Sequence, residues 1–363
     1  IRASDWSSDV CSSDLNYEPH SVLLTGGAGF IPSHVCNYLV QKYPDVKFIC
    51  LDILDYCSNM KNLEPSLKCP NFHFVKGNIC NLELVSYLME IHKIDTVMHF
   101  AAQSHVDRSF GNSLEFTETN ILGTHTLLEC SKRHNIKRFI HVSTDEVYGE
   151  VLTGRADELA ILSPTNPYAC SKAGAEFICQ AYIRSFNMPI IITRGNNVFG
   201  PMQFPEKVIP KFIYLLREGK KCCVHGKGDG LRNFLHTSDV VKAFDLILHK
   251  GKLHEIYNIG TDFEISICDL CKKLISIMKI PGNPDDWIVH VSDRAFNDSR
   301  YMINSDKLKA LGWEPNKDFD SLLKETVQWY LDNPNYWERS YLEPYLLPHP
   351  LAAMVPKSNF TIN

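Results

Sequence analysis

Short apolar runs alternate with amphipathic stretches through the first half of the chain, and that rhythm predicts the architecture. The runs at 21–25, 47–51, 71–76, 96–100, 139–142 and 190–193 are rich in Val, Ile, Leu and Phe. Their length and composition predict strands, most of them covered on both faces. Between them, apolar residues recur at helical spacing over 30–43, 82–93 and 120–133, and again in a stretch that follows Pro167. Strands alternating with helices predict an α/β fold, a Rossmann-type doubly wound parallel sheet with helices on both faces. Beyond Arg194 the rhythm loosens, with Pro201, Pro205 and Pro210 interrupting it. A helix reaching about 219, a glycine-rich turn at 226–230, a strand at 257–259 and helices at 265–278 and 321–331 are predicted there. The pattern divides the chain into a dinucleotide-binding domain, 21–198, and a smaller α+β substrate-binding domain, 199–345, some of whose elements return to the sheet. Residues 1–20 and 346–363 show no period. The first segment, which starts without Met, reads as a disordered tail or a cloning artefact, and the last as a loose tail.

Composition narrows the function classes. A chain of 363 residues that is 44% hydrophobic and 22% charged is a soluble globular one with ample core material. A net charge of −5 without a basic stripe argues against a nucleic-acid partner. No apolar stretch approaches the ~20 residues of a membrane span. The thirteen cysteines are odd in number and lack framework spacing, which predicts free thiols in a reducing, cytoplasmic setting. Cys268 and Cys271 have C-x-x-C spacing, but a structural zinc needs four ligands. They are read as core residues, and no metal is expected.

Three motifs carry chemistry. Gly26-x-x-Gly29 lies between a predicted strand and a predicted helix, where glycines let the backbone approach a pyrophosphate. Asp52 ends the next strand, placed to bond the adenosine ribose, which favours NAD over NADP. Pro32 stands where a third glycine is expected, and the first helical turn tolerates it. The second motif is Ser143-Thr144-Asp145-Glu146-Val147-Tyr148-Gly149. Neighbouring strand residues point to opposite faces, so two adjacent acids share one site only where the strand ends and the backbone turns. An acid beside a base suits a reaction that adds one proton and removes another. The third motif, Tyr168-x-x-x-Lys172, puts both side chains on one helix face. There the ammonium would favour the phenolate and make Tyr168 a base for a sugar hydroxyl. Tyr38/Lys42 and Tyr43/Lys47 share the spacing but follow no strand end bearing acids.

These motifs continue through Ala101-Ala102-Gln103-Ser104, Phe204-Pro205-Glu206-Lys207, Gly226-Lys227-Gly228-Asp229 with Arg232, Tyr257-Asn258-Ile259-Gly260 and Asp293-Arg294. Over residues 21–335 the chain resembles the extended short-chain dehydrogenase/reductase family of NAD-dependent nucleotide-sugar enzymes, and within it the dTDP-glucose 4,6-dehydratases. The resemblance implies a tightly bound NAD, regenerated in each turnover, and a nucleotide-diphosphate glucose converted to its 4-keto-6-deoxy sugar and water. Tyr168 would take the proton of the carbon 4 hydroxyl, which Thr144 orients. Glu146 would remove the hydrogen on carbon 5, and Asp145 would protonate the departing carbon 6 hydroxyl. NAD would contact Gly26, Gly29, Phe30, Ile31, Asp52, Asn78, Ile79, Ala101, Ala102, Thr119, Tyr168 and Lys172. The nucleotide sugar would be held by Ser104, Thr144, Asn197, Lys207, Arg232, Asn258 and Arg294. The resemblance also implies a homodimer through a four-helix bundle, built from the helices after Asn120 and after Pro167. Their apolar stripes comprise Ile121, Leu122, Leu127, Leu128, Ala175, Ile178, Cys179 and Tyr182.

The sequence departs from the family pattern at several positions. Asn78 replaces an aspartate, Gly195 and Asn196 replace Cys and Ser, and Phe199 and His225 replace tyrosines. Ala295 and Asn297 replace Pro and His. Most of these lie toward the nucleotide end, which leaves thymine and uracil both open. A 4-epimerase or a nucleotide-sugar decarboxylase would share the fold and the Tyr/Lys pair but would not need Asp145. A non-catalytic NAD-binding protein would not need five matched side chains.

Overall fold

The computed structural model describes residues 17–293 and 298–348. Its body is a seven-stranded, all-parallel sheet. Six strands come from the first half: β1 (Ser21–Thr25), β2 (Lys47–Asp52), β3 (Phe72–Lys76), β4 (Thr96–His99), β5 (Arg138–Thr144) and β6 (Ile190–Gly195). The spatial order is β3-β2-β1-β4-β5-β6, and the strand Ile256–Ile259 adds beyond β6. The order reverses between β1 and β4, where open α/β sheets carry their ligand crevice.

Side-chain alternation explains how the sheet is covered. Val22 and Leu24 on β1 pack with Val35 and Leu39 of helix α1 (Phe30–Lys42) and with Phe244 and Ile247 of the helix Thr237–Lys250. Leu23, pointing the other way, packs with Ile49, Val97 and Leu127 and with Val85 and Leu88 of the helix Leu82–Ile91. Each fully buried aliphatic side chain contributes about 1.5–3 kcal/mol relative to exposure. That is why both faces of these strands are apolar.

The later residues form a three-stranded sheet (Asn197–Phe199, Leu231–His236, Glu264–Ser266) and a two-stranded one (Cys222–His225 with Ile288–Val291). Helices Val208–Arg217, Ile267–Ile277 and Phe319–Asp332 share a core around Phe212, Leu270, Leu274 and Leu323. The pattern at 265–278 hides a break: residues 264–266 are a strand, and Ser266 then caps the helix by accepting from the Asp269 N–H at 3.0 Å. The helical run predicted from 120 starts earlier, at Ser113, and passes through a π-helical turn, Thr117–Leu122.

The ends also differ from expectation where they are described. Tyr17 is anchored, its N–H donating to the His249 carbonyl and its hydroxyl paired with Thr96 at 2.7 Å. Leu346 is buried, and Lys211 donates to the Leu347 carbonyl. Of the proposed bundle stripe, Leu127, Leu128, Ala175 and Cys179 are fully buried inside the chain itself, so the core claims them. Leu114, Leu122, Phe177 and Phe186 of the same helices are large apolar side chains left exposed. Among the described residues no helix is long and apolar enough to cross a membrane.

Candidate active site

At the crevice the ends of the strands line a cleft of about 500 Å³. The glycine-rich turn forms one wall. Gly26 has φ +74°, and a Cβ there would lie 2.7 Å from the Ala101 Cα, so only glycine lets the β1 and β4 ends approach this closely. Gly29, Phe30 and Ile31 open α1 beside the cleft, and the first-turn amides of a helix lack intrahelical partners. Pro32 falls in that first turn, where its missing N–H removes no helical bond. Asp52 is buried. Its Oδ2 accepts from the Ala28 N–H at 2.9 Å, and its Oδ1 accepts from the Leu54 N–H at 2.7 Å and from the Ser58 hydroxyl. Burial raises the pKa of its carboxyl, and those bonds oppose the rise. Oδ2 keeps a lone pair for a ribose hydroxyl. Asn78, Ile79, Ala101, Ala102 and Thr119 complete this lobe. Asn78 Oδ1 accepts from the Cys80 N–H at 2.9 Å. A cradle that a Cβ would fill, a helix start and a carboxylate at the end of β2 together fit a dinucleotide.

The acids sit at the end of β5. The strand stops at Thr144, and a 3₁₀ turn, Asp145–Tyr148, carries both carboxyls to the cleft. Gly149 closes the turn at φ +72°. The two environments differ. Asp145 is 3% exposed, and its Oδ2 accepts from Asn196 Nδ2 at 2.7 Å. Its Oδ1 accepts from the Thr144 hydroxyl at 3.2 Å. Burial first, and then the charge of Glu146, push the Asp145 carboxyl up to about 7. Glu146 is half-buried, and its Oε2 accepts from Asn166 Nδ2 at 3.1 Å.

Tyr168 and Lys172 lie in the first turns of the helix Pro167–Phe186, capped by Asn166, whose Oδ1 accepts from the Ala169 N–H at 2.9 Å. The sequence predicts that Lys172 lowers the pKa of the Tyr168 phenol. Two effects oppose this in the structure. Burial and the charge of Glu146 hold the phenol well above its ordinary range, while the Thr144 hydroxyl opposes them. The Lys172 ammonium is turned to the Val142 carbonyl, and burial pulls it down to about 8.

A second lobe, of about 310 Å³, meets the first at Glu146, Asn197 and Lys207, all three of which line both. Lys207 donates to the Ser104 carbonyl at 2.8 Å. Arg232 stacks over the Tyr301 ring, 5.0 Å from its centroid, and lines this lobe with His225 and Lys227. One predicted contact is misplaced. Asn258 is fully buried away from both lobes, accepting from the Tyr148 hydroxyl at 2.8 Å and donating to the Ala156 and Asn304 carbonyls. From the edge strand Ile256–Ile259 it supports the acid turn from behind, through Tyr148. Arg294 lies outside the described residues.

Sequence reasoning missed four supporting residues. Asn196 and Asn166 orient the two acids. Glu176 and Arg194 form a buried bidentate pair, and Arg194 also donates to the Tyr148 hydroxyl at 2.8 Å, bracing the acid turn. A charged pair inside two apolar-looking elements is the signal that could have exposed it.

Comparison with known proteins agrees with this geometry. Residues 23–326 match the family profile described as GDP-mannose 4,6 dehydratase. A trifunctional UDP-glucose 4,6-dehydratase/UDP-4-keto-6-deoxy-D-glucose 3,5-epimerase/UDP-4-keto-L-rhamnose-reductase of Arabidopsis thaliana is 52% identical over 94% of this chain. The chain spans about half, 51%, of that relative's length. The dTDP-D-glucose 4,6-dehydratase of Mus musculus is 49% identical over 91% of this chain and 94% of its own. A crystal structure of a dTDP-glucose 4,6-dehydratase from Streptomyces venezuelae, with NAD bound, superposes with a TM-score of 0.83 at 40% identity, covering 88% of this chain and 99% of that one.

Proposed function

This chain belongs to the GDP-mannose 4,6 dehydratase family, and from that premise we propose that it dehydrates a nucleotide-diphosphate glucose to the 4-keto-6-deoxy sugar. The observation that carries the reading is the adjacent acid pair, differently solvated, set between the two lobes and beside Tyr168. NAD, held in the glycine-turn lobe by the residues from Gly26 to Ala102 named above and by Thr119 and Lys172, would accept the carbon 4 hydride, return it to carbon 6 and add positive charge beside Tyr168.

The chain's own groups move the protons. Tyr168, as phenolate, takes the proton of the carbon 4 hydroxyl, and Thr144 orients that hydroxyl. The carbon 4 ketone acidifies the hydrogen on carbon 5, and Glu146, at the junction of the lobes, removes it. Asp145 donates its proton to the carbon 6 hydroxyl, which leaves as water. One carboxyl kept neutral by burial beside one that is better solvated is the division that acid–base chemistry at two carbons needs. Glu146 then returns its proton to carbon 5. Lys207 and Arg232 suit the diphosphate in the second lobe.

A 4-epimerase would use the same fold but would have no task for a protonated Asp145. Relatives that act on UDP-glucose and on dTDP-glucose are 52% and 49% identical, so experiment must choose the base. The test is incubation with each nucleotide sugar and mass analysis of the product. Loss of one water without net NADH supports the reading, and a product of unchanged mass sinks it. A homodimer packed through the helices bearing Leu114, Leu122 and Phe177 accounts for those exposed apolar side chains. Free thiols at the described cysteines suit a cytoplasmic enzyme.

A further inference from the structure

A neutral carboxyl has one oxygen that bears hydrogen and one that only accepts. The surroundings of Asp145 choose between its two oxygens. Oδ2 faces Asn196 Nδ2 at 2.7 Å, and Oδ1 faces the Thr144 hydroxyl at 3.2 Å.

The Asn196 amide is fixed from its other side. Its Oδ1 accepts from the Thr261 N–H at 3.0 Å, and its backbone N–H donates to the Ile259 carbonyl at 3.0 Å. Gly260 lies against it. A Cβ there would stand 2.6 Å from Asn196 Oδ1, so the amide is seated in space that only glycine leaves. Asn196 is 4% exposed, so solvent does not replace either partner. Turning the amide over would set Nδ2 against the Thr261 N–H, donor facing donor, and leave buried groups unsatisfied. Nδ2 therefore presents a hydrogen to Asp145 Oδ2, and an amide nitrogen cannot accept one. A hydroxyl can do either. Thr144 donates to Oδ1 when Asp145 is ionised and can turn to accept when it is not.

We propose, resting on the dehydratase reading, that Asn196 is a positioning residue that keeps the Asp145 proton on Oδ1 and so makes Oδ1 the oxygen that protonates the departing carbon 6 hydroxyl. In that step the Oδ1–H bond and the carbon 6–oxygen bond break. An O–H bond forms on the leaving oxygen, and Glu146 takes the carbon 5 proton. Water departs, and the new carboxylate meets donors already in place, Asn196 on Oδ2 and Thr144 on Oδ1. The serine that the family pattern has at this position carries a hydroxyl, which accepts as well as donates and would impose no such choice.

The test compares Asn196→Ala and Asn196→Ser with the unmodified protein, all loaded with NAD. The titratable and charged groups around Asp145 are Glu146 on the same turn, Arg232 from the second lobe and Tyr168 from the helix Pro167–Phe186, and all three are left intact. The first readout needs no turnover. Below pH 7 the C=O stretch of neutral Asp145, assigned by difference against Asp145→Asn, should lie at the lower frequency of an acid whose carbonyl oxygen accepts from an N–H. It should rise in Asn196→Ala. An unchanged frequency there overturns the proposal, because Oδ2 is then not the carbonyl oxygen. The second readout is rapid quench with sugar nucleotide. Both variants should form bound NADH at close to the unmodified rate, while water loss slows by about 10- to 100-fold. The Asn196 bond lowers the pKa of Asp145, so the alkaline limb of kcat/KM should move to higher pH in Asn196→Ala. Equal slowing of NADH formation and water loss, with the limb unmoved, marks a merely structural role and overturns the proposal. If the unmodified protein releases no water from either sugar nucleotide, it is the dehydratase reading that fails, and the infrared arm still decides which oxygen holds the proton.

Discussion

The two lobes of the cleft are built in opposite ways. The glycine-turn lobe draws mainly on strand ends of one parallel sheet, with residues that follow β1, β2, β3 and β4 joined by helical ones such as Thr119 and Lys172. The second lobe gathers side chains from segments far apart in the chain, from His105 and Asn166 through Lys207 and Arg232 to Tyr301. A site made by the regular ends of adjacent strands needs little tertiary information beyond sheet order. A site assembled from loops depends on how a second core packs. The acid pair stands where the two meet, with Glu146 lining both lobes.

If the junction is held from behind by the buried Glu176–Arg194 pair, breaking that pair should damage both lobes at once. Glu176→Ala leaves a guanidinium with almost no solvent contact and no counter-charge. It should cost about 3–5 kcal/mol of stability, measurable as a lowered urea midpoint. Substitutions inside one lobe should separate them instead. Arg232→Ala removes a charged donor from the second lobe. It should raise KM for the sugar nucleotide by about 10- to 100-fold and leave NAD retention unchanged on gel filtration. Gly26→Ala pushes a methyl group into the Ala101 backbone. It should cost about 1–3 kcal/mol, read as NAD lost during purification, while nucleotide diphosphate binding by calorimetry is unaffected. If either substitution weakens both ligands equally, the lobes are not separable.

The acid pair makes a pH prediction of smaller size. The folded-state pKa of Asp145 is raised to about 7, so its proton-bearing form prevails below that pH. The value of kcat/KM should fall about tenfold per pH unit above it. A kcat/KM profile with no break there would remove Asp145 as the acid.

The same contrast explains what the sequence made legible. Continuous apolar strands and a glycine turn followed by Asp52 are local patterns, and they located Gly26, Gly29 and Asp52; the other residues of the glycine-turn lobe came from the family resemblance. The Asp145-Glu146 dipeptide and Tyr168/Lys172 were readable because each is compact in sequence. Their electrostatics were not. The turn of Lys172 toward the Val142 carbonyl, and the burial that raises the Tyr168 phenol, depend on packing. Asn258 looked like a ligand from its motif, yet its strand joins the edge of the main sheet and turns it inward. Asn196, which departs from the family pattern, turned out to hold Asp145. The Thr237–Lys250 helix escaped the pattern reading although its apolar face completes the sheet's core.

The most direct test of the account is Asp145→Asn, followed by absorbance of enzyme-bound NADH and by mass analysis of the sugar. The account predicts that bound NADH appears on adding the sugar nucleotide while release of water slows by about 100-fold or more. A variant that forms no bound NADH, or that releases water at the unmodified rate, would contradict the assignment of Asp145 as the acid that expels the carbon 6 hydroxyl.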